Sequence, residues 1–234
     1  MSLRVLFNDY QALRERCDIG SVHFIDHPDY EGDAIVPAGD WQPVSERIAE
    51  SLEPDADTPD STVVELVKPP SLDGDGDSGP SSVASAEFLG VFGPQPAGLL
   101  ATSFNSATTG LYIGLHIDYW DRATYSMRRR SRRRLCLNLG PGSRYLHVAD
   151  LDIAEIGAAF GLGTDDVPAV DVVRRYLKQG HPLRCFRLRL DPGDGYLAPT
   201  ELYPHDGSTM ACPDASSVAM WLGHWARSTL KSIV

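Results

Sequence analysis

At 234 residues the chain is long enough for one sizeable hydrophobic core, and no linker splits it into two apolar halves, so a single domain over 1–234 is expected. Its 42% hydrophobic, 9% aromatic and 23% charged residues match ordinary globular proteins and exclude disordered or fibrous classes. A net charge of -11 argues against nucleic acid or an anionic membrane as partner, since long-range repulsion would oppose association. No apolar run approaches the roughly 18 to 20 residues that cross a bilayer, and MSLRVLFNDYQ turns polar too early for a signal peptide, so a cytoplasmic protein is expected. Cys17, Cys136, Cys185 and Cys212 lack CxxC spacing and read as reduced, mostly buried thiols.

Residues 1–50 alternate short apolar pieces with turn formers and read as an N-terminal flank, with a short helix in NDYQALRER capped by Asn8 or Asp9. Residues 51–83 are rich in Pro, Asp, Gly and Ser and read as a surface loop, either a tolerated insertion or a lid, with one strand at TVVELV. From residue 84 to 227 the pattern becomes strand-like in AEFLGVFG, GLLATSF, GLYIGLHIDYW, RLCLNLG and RYLHVADL. Two helices are expected within about 152–180. DIAEIGAAFG has Asp152 and Glu155 as a capping pair and stops at Gly161; DVPAVDVVRRYLKQG has Pro168 in its first turn and stops at Gly180. Strands then return in PLRCFRLRLDPGDGYLAP, where Phe186, Leu188 and Leu190 alternate with arginines, and in SSVAMWLGHW. The chain is thus mainly β with helices, an antiparallel sandwich or barrel with a helical insertion.

In GLYIGLHIDYWDR, His116 and Asp118 are two residues apart, so on a strand both side chains leave from one face. An isolated HxD is weak, because a lone histidine is more often a satisfied core residue. The distal segment RLDPGDGYLAPTELYPHDGST adds a strand, a reversing PGD turn and a run that can bring His205 back to that pair. Two imidazoles and one carboxylate on one face leave open positions on a metal, which suits iron(II) that must bind a co-substrate and dioxygen together.

On these residues the chain resembles the iron(II)/2-oxoglutarate-dependent oxygenases, whose core is a double-stranded β-helix (jelly-roll, cupin-like), and in layout their JmjC-like branch. The resemblance runs over roughly residues 85 to 227 and rests on His116 and Asp118 in LHID and His205 in YPHDGST. It implies that these three hold iron(II), that 2-oxoglutarate is the co-substrate, and that dioxygen hydroxylates an unactivated C–H bond while succinate and carbon dioxide form. An intact Asp118 favours hydroxylation over halogenation. The absence of accessory domains favours a small-molecule substrate, such as an amino acid or a biosynthetic intermediate.

Many branches of that family hold the far carboxylate of 2-oxoglutarate with an arginine soon after the distal histidine, but here no Lys or Arg follows His205 until Arg227. The JmjC-like branch uses a basic residue, generally lysine, on the strand after HxD. The expectation here is Arg134, which opens RLCLNLG and shares a face with Cys136 and Asn138; a guanidinium can grip a carboxylate with two parallel hydrogen bonds. Asn138 and Tyr112 are further candidates for bonding the co-acid or substrate. Arg128, Arg129, Arg130 and Arg132 in MRRRSRRR read most simply as a solvated loop facing acidic neighbours, though some could meet an anionic substrate.

His23 and His27 with Asp26 and Asp29 read as surface loop, and His147, His181 and His224 as core or helix-flanking groups. Glu201 and Asp206 could orient His205 or bind substrate, or serve only the turn. No GxSxG element, P-loop or dinucleotide fingerprint is present. Two rival functions stand beside the oxygenase: a metal-dependent cupin enzyme that needs no 2-oxo acid, and a non-catalytic β-sandwich binding protein.

Overall fold

The computed structural model describes residues 2–69, 85–105 and 108–234. The N-terminal part carries β1 (Arg4–Leu6), α1 (Tyr10–Arg16), β2 (Cys17–Phe24), β3 (Tyr30–Pro37), β4 (Gln42–Pro43), α2 (Glu46–Leu52) and β5 (Val63–Lys68). There follow β6 (Glu87–Gln95), β7 (Tyr112–Gly114), β8 (Arg133–Pro141), β9 (Arg144–Ala149), α3 (Ile153–Ala158) and α4 (Val172–Lys178). The chain closes with β10 (Arg184–Leu190), β11 (Gly195–Ala198), β12 (His205–Ser208), β13 (Ser216–Gly223) and β14 (Lys231–Ser232).

The strands form two sheets, the first in the order β1-β5-β11-β8-β13-β6 with β14 on β5, the second β12-β9-β10-β2-β3-β7 with β4 on β2. Alternation in the sequence decides which way each strand faces. In β10, Phe186, Leu188 and Leu190 are buried while Arg187 and Arg189 are partly exposed. The inner faces meet in one core, with Leu66, Cys136, Tyr196 and Val218 from the first sheet and Leu146, Val148, Phe186 and Leu188 from the second. Each such apolar side chain contributes roughly 1.5–3 kcal/mol on burial. A smaller cluster of Val67, Leu135, Leu197, Trp225 and Leu230 covers the outer face of the first sheet with the C-terminal segment.

The structure departs from the sequence reading at several places. The first fifty residues are built into the sheets rather than laid on them: β2 pairs with β10 and lies inside the second sheet, because Cys17 and Ile19 find partners about 170 residues away that no local pattern reveals. The strand expected at TVVELV is present as β5, but it lies inside the first sheet, and α2 takes the first two residues of the expected loop or lid, which leaves coil and turn only over 53–59; its remainder, 70–83, lies outside the described residues. GLLATSF forms no strand and offers only a bridge from Phe104 to Tyr112. The helical insertion is shorter than expected: α4 starts at Val172, so Pro168 precedes the helix instead of opening it. Asp152 does cap α3, accepting from the Glu155 amide at 2.8 Å, and Asp9 caps α1. All four cysteines are free and buried. No helix among the described residues is long and apolar enough to cross a membrane.

Candidate metal centre

The strand expected to carry the HxD pair is short. β7 stops at Gly114, and His116 continues it only through a bridge to His205, each donating its backbone N–H to the other's carbonyl at 3.1 and 2.8 Å. Gly114 makes this close approach possible: its φ is +68°, and a Cβ there would run into the Ile35 carbonyl oxygen on β3. Beyond the bridge the Asp118 amide donates to the Thr200 carbonyl at 2.9 Å. Residues far apart in sequence are therefore joined at main-chain level before any side chain is considered.

The side chains converge as the spacing requires. The ligand atoms of His116, Asp118 and His205 all lie within 4.8 Å of one another. His116 Nε2 is 3.7 Å from Asp118 Oδ1, and His205 Nε2 is 3.7 Å from Asp118 Oδ2. In each histidine Nδ1 faces a main-chain carbonyl, Gly114 at 2.8 Å and Tyr203 at 3.1 Å. A carbonyl only accepts, so Nδ1 carries the proton and the Nε2 lone pair is left facing the centre. His205 Nε2 is buried with no hydrogen-bond partner among the described residues. An unmet buried group costs roughly 1–3 kcal/mol, and a cation would meet it.

Electrostatics prepares the same donor set. Burial pushes the Asp118 carboxyl up, but Arg134, then His205 and His116, outweigh it and hold the group well below the usual carboxylate range. Burial, then Arg134, keeps His205 well below an ordinary histidine, hence neutral. Burial also opposes charge on His116, but the neighbouring Asp118 carboxylate and the nearby Asp206 raise it overall. An anionic carboxylate beside a neutral imidazole is the protonation state that metal ligation needs.

Of the three residues expected to hold a co-acid, Arg134 is buried at the centre, donating to Asp118 Oδ2 at 3.0 Å and to the Tyr196 hydroxyl at 2.7 Å. It is thus a partner of a candidate ligand, and its guanidinium is already engaged. The Asn138 amide donates to the Gly142 and Leu190 carbonyls and accepts from the Gly140 amide, so in this structure it is engaged by the end of β8, the turn after it and the end of β10. Tyr112 lies on β7 with its ring against Tyr30 and Phe104, both at 5.5 Å, in an aromatic group beside the strand end that leads to His116.

The arginine run is also corrected. Arg128 is fully buried and donates to the Asp118 and Glu201 carbonyls, while Arg133 is 1% exposed and pairs with Glu65 at 2.6 Å. Arg129 and Arg132 do face acids as expected, Asp152 and Asp121 respectively. Asp206 accepts from the Ser103 amide and Glu201 from the Asp121 amide, so both brace loops around the centre. His147 is buried and stacked on Trp41 at 5.4 Å, and His181 stacks on Tyr176 at 4.6 Å, in keeping with core and helix-flanking roles. Arg227 is committed to Asp60.

One residue escaped sequence reasoning. Arg144, at the start of β9, is 3% exposed yet meets no carboxylate among the described residues; its Nη2 reaches Thr102 Oγ1 at 3.4 Å and its Nη1 has no partner. The register pairs Val148 with His205 and Leu146 with Gly207, so Arg144 belongs to the same strand face as His205. Gln95 donates to the Thr102 carbonyl but leaves its Oε1 unpartnered, and Ser216, paired with Gln95, leaves its hydroxyl unpartnered. A buried cation beside unmet polar groups is a ready place for an anion. The only sequence signal was an arginine beginning the apolar strand RYLHVA.

No protein-family model, curated protein or solved structure matches this chain. What it does must therefore be read from the centre itself.

Proposed function

We propose that this chain is a mononuclear non-haem iron(II) oxygenase that uses 2-oxoglutarate as co-substrate and hydroxylates a small molecule on a double-stranded β-helix core. The observation that carries the reading is the His205 Nε2 atom, buried without a partner and facing the Asp118 carboxylate and the His116 ring. Two imidazoles with one carboxylate, and no thiolate among them, suit iron(II) better than a closed structural zinc site. The core assignment is supported by the path of the chain. It alternates between sheets through β6, the His116 bridge, β8, then β9 and β10, then β11, β12 and β13, as a jelly roll does.

In this reading His116, Asp118 and His205 hold the metal, and iron(II) there would couple oxidative decarboxylation of the 2-oxo acid to oxidation of a C–H bond. The chain's own residues do the rest. Gly114 and Tyr203 carbonyls fix both imidazole tautomers. Arg134 keeps Asp118 ionised and holds its Oδ2, which leaves Oδ1 as the oxygen turned to His116. Arg144, in place of the expected Arg134, would receive the far carboxylate of 2-oxoglutarate, with Gln95 and Ser216 nearby. That exchange removes the difficulty of an arginine already engaged by Asp118 and Tyr196.

The test is anaerobic loading with iron(II), then exposure to oxygen and 2-oxoglutarate while succinate is measured. Succinate that forms in the wild type and not in His116→Ala is expected. Iron-dependent turnover without 2-oxoglutarate consumption would instead select a cupin enzyme of another kind, a reading favoured by the missing arginine after His205. A protein that takes up no iron(II) at all would leave only a binding function.

A further inference from the structure

A cleft of about 500 Å³ lies beside the loop that leaves Asp118, lined by parts of residues 121–132 and by His224. Its charge is unlike the rest of this acidic chain. Arg132 is neutralised there by Asp121 at 2.6 Å and by Glu87 at 2.7 Å. Arg122 and Arg130, both exposed, also line the cleft, yet neither guanidinium makes a hydrogen bond or ion pair among the described residues. Arg122 is presented from a left-handed backbone conformation, φ 49°, that a residue other than glycine rarely adopts.

Ser131 supplies a second, independent observation. It lines the same cleft, is only 5% exposed, and its hydroxyl is buried with no partner. A hydroxyl in that position would ordinarily bond to a neighbouring main-chain group; here it meets none among the described residues, in a cleft whose lining it shares with Arg122 and Arg130. Met127, 48% exposed, adds an apolar wall.

We propose that this cleft binds the phosphate group of a small phosphorylated molecule. A carboxylate is satisfied by one guanidinium fork, whereas a phosphate offers enough oxygens for two guanidiniums and a hydroxyl together. The volume exceeds that of the anion, so the organic part lies against Met127. The site is independent of the metal centre and of the activity assigned to it.

The experiment is calorimetric titration of the full chain with phenyl phosphate and, separately, inorganic phosphate. Three proteins are compared: wild type, Arg122→Ala/Arg130→Ala, and Arg14→Ala/Arg47→Ala. The last removes the same charge from exposed positions elsewhere. Saturable binding that weakens at least about tenfold in the first variant and is unchanged in the second is expected, with phenyl phosphate the tighter ligand. Ser131→Ala should weaken it by a smaller factor while the unfolding midpoint stays put. No saturable binding at millimolar concentration, or an equal loss in both double variants, would overturn the proposal. Phosphate held instead at the metal centre would survive in both, and that too would overturn it.

Discussion

His205→Ala tests the centre most directly when it is set against His147→Ala. The two imidazoles are equally buried, each 1% exposed, and each leaves one ring nitrogen without a partner. Their surroundings differ: His205 Nε2 faces Asp118 at 3.7 Å, whereas His147 lies on Trp41 beside Arg187. In the wild type, iron(II) at a hundred times its Kd should add about 2.7 kcal/mol of stability. For a chain of this length that is a rise of roughly 5–11 °C in Tm. Structural metal sites with four ligands give about 10–16 kcal/mol, so one ligand contributes about 3 kcal/mol, a factor on the order of a hundred in Kd. At the same concentration His205→Ala would then keep only about 0.4 kcal/mol, a rise of roughly 1 °C. His147→Ala should behave oppositely, losing roughly 2–4 kcal/mol of metal-free stability through the cavity under Trp41 but keeping the full metal-induced rise. The assay is anaerobic thermal unfolding with and without iron(II), or manganese(II) as an oxygen-stable substitute. A wild type that metal does not stabilise, or a His205→Ala protein stabilised as much as the wild type, would refute the reasoning.

Arg144→Leu removes a buried cation that has no acid partner among the described residues, so stability should hold or rise, while 2-oxoglutarate affinity measured with manganese(II) by calorimetry falls by about a hundredfold. Glu65→Ala leaves the buried Arg133 uncompensated and should cost about 3–5 kcal/mol in urea unfolding, whereas replacing the pair by Leu and Met together should be nearly neutral. His147 gives a pH signature: burial first, then Arg187, lowers its pKa from 6.5 to about 3. The folded state keeps it neutral while the unfolded state takes up a proton, so its contribution is whole above about pH 6.5 and falls by up to roughly 1.4 kcal/mol per unit as the pH drops toward 3. Urea midpoints of His147→Phe should therefore lose less between about pH 7 and pH 5 than those of the wild type.

The candidate donor set was legible because it is local chemistry in a period-two frame: His116 and Asp118 share a strand face by spacing alone, and the PGD turn points His205 back toward them. What stayed hidden depends on partners distant in the chain. Arg128, Arg129, Arg132 and Arg133 look alike in RRRSRRR, but Arg133 meets Glu65 68 residues away and Arg128 meets the Glu201 carbonyl 73 residues away, so two are core struts and two face acids near the surface. Arg144 escapes sequence reasoning for the converse reason, since lacking an acid partner among the described residues is a property of the folded molecule and leaves no trace in spacing. Spacing does not distinguish an amide on an inward face that serves a ligand from one that ties main chain together, and Asn138 bonds the Gly142 and Leu190 carbonyls and the Gly140 amide.

The pair of main-chain bonds between His116 and His205 has a consequence for how a metal would enter. Both histidines are fixed by sheet pairing and by the carbonyls on their Nδ1 atoms, so the donors are already aimed and little ordering remains to be done on binding. Metal capture would then resemble a rigid receptor closing on an ion rather than a chain folding around one. Its heat-capacity change should be small, and chelation should strip the ion while leaving the sheets intact.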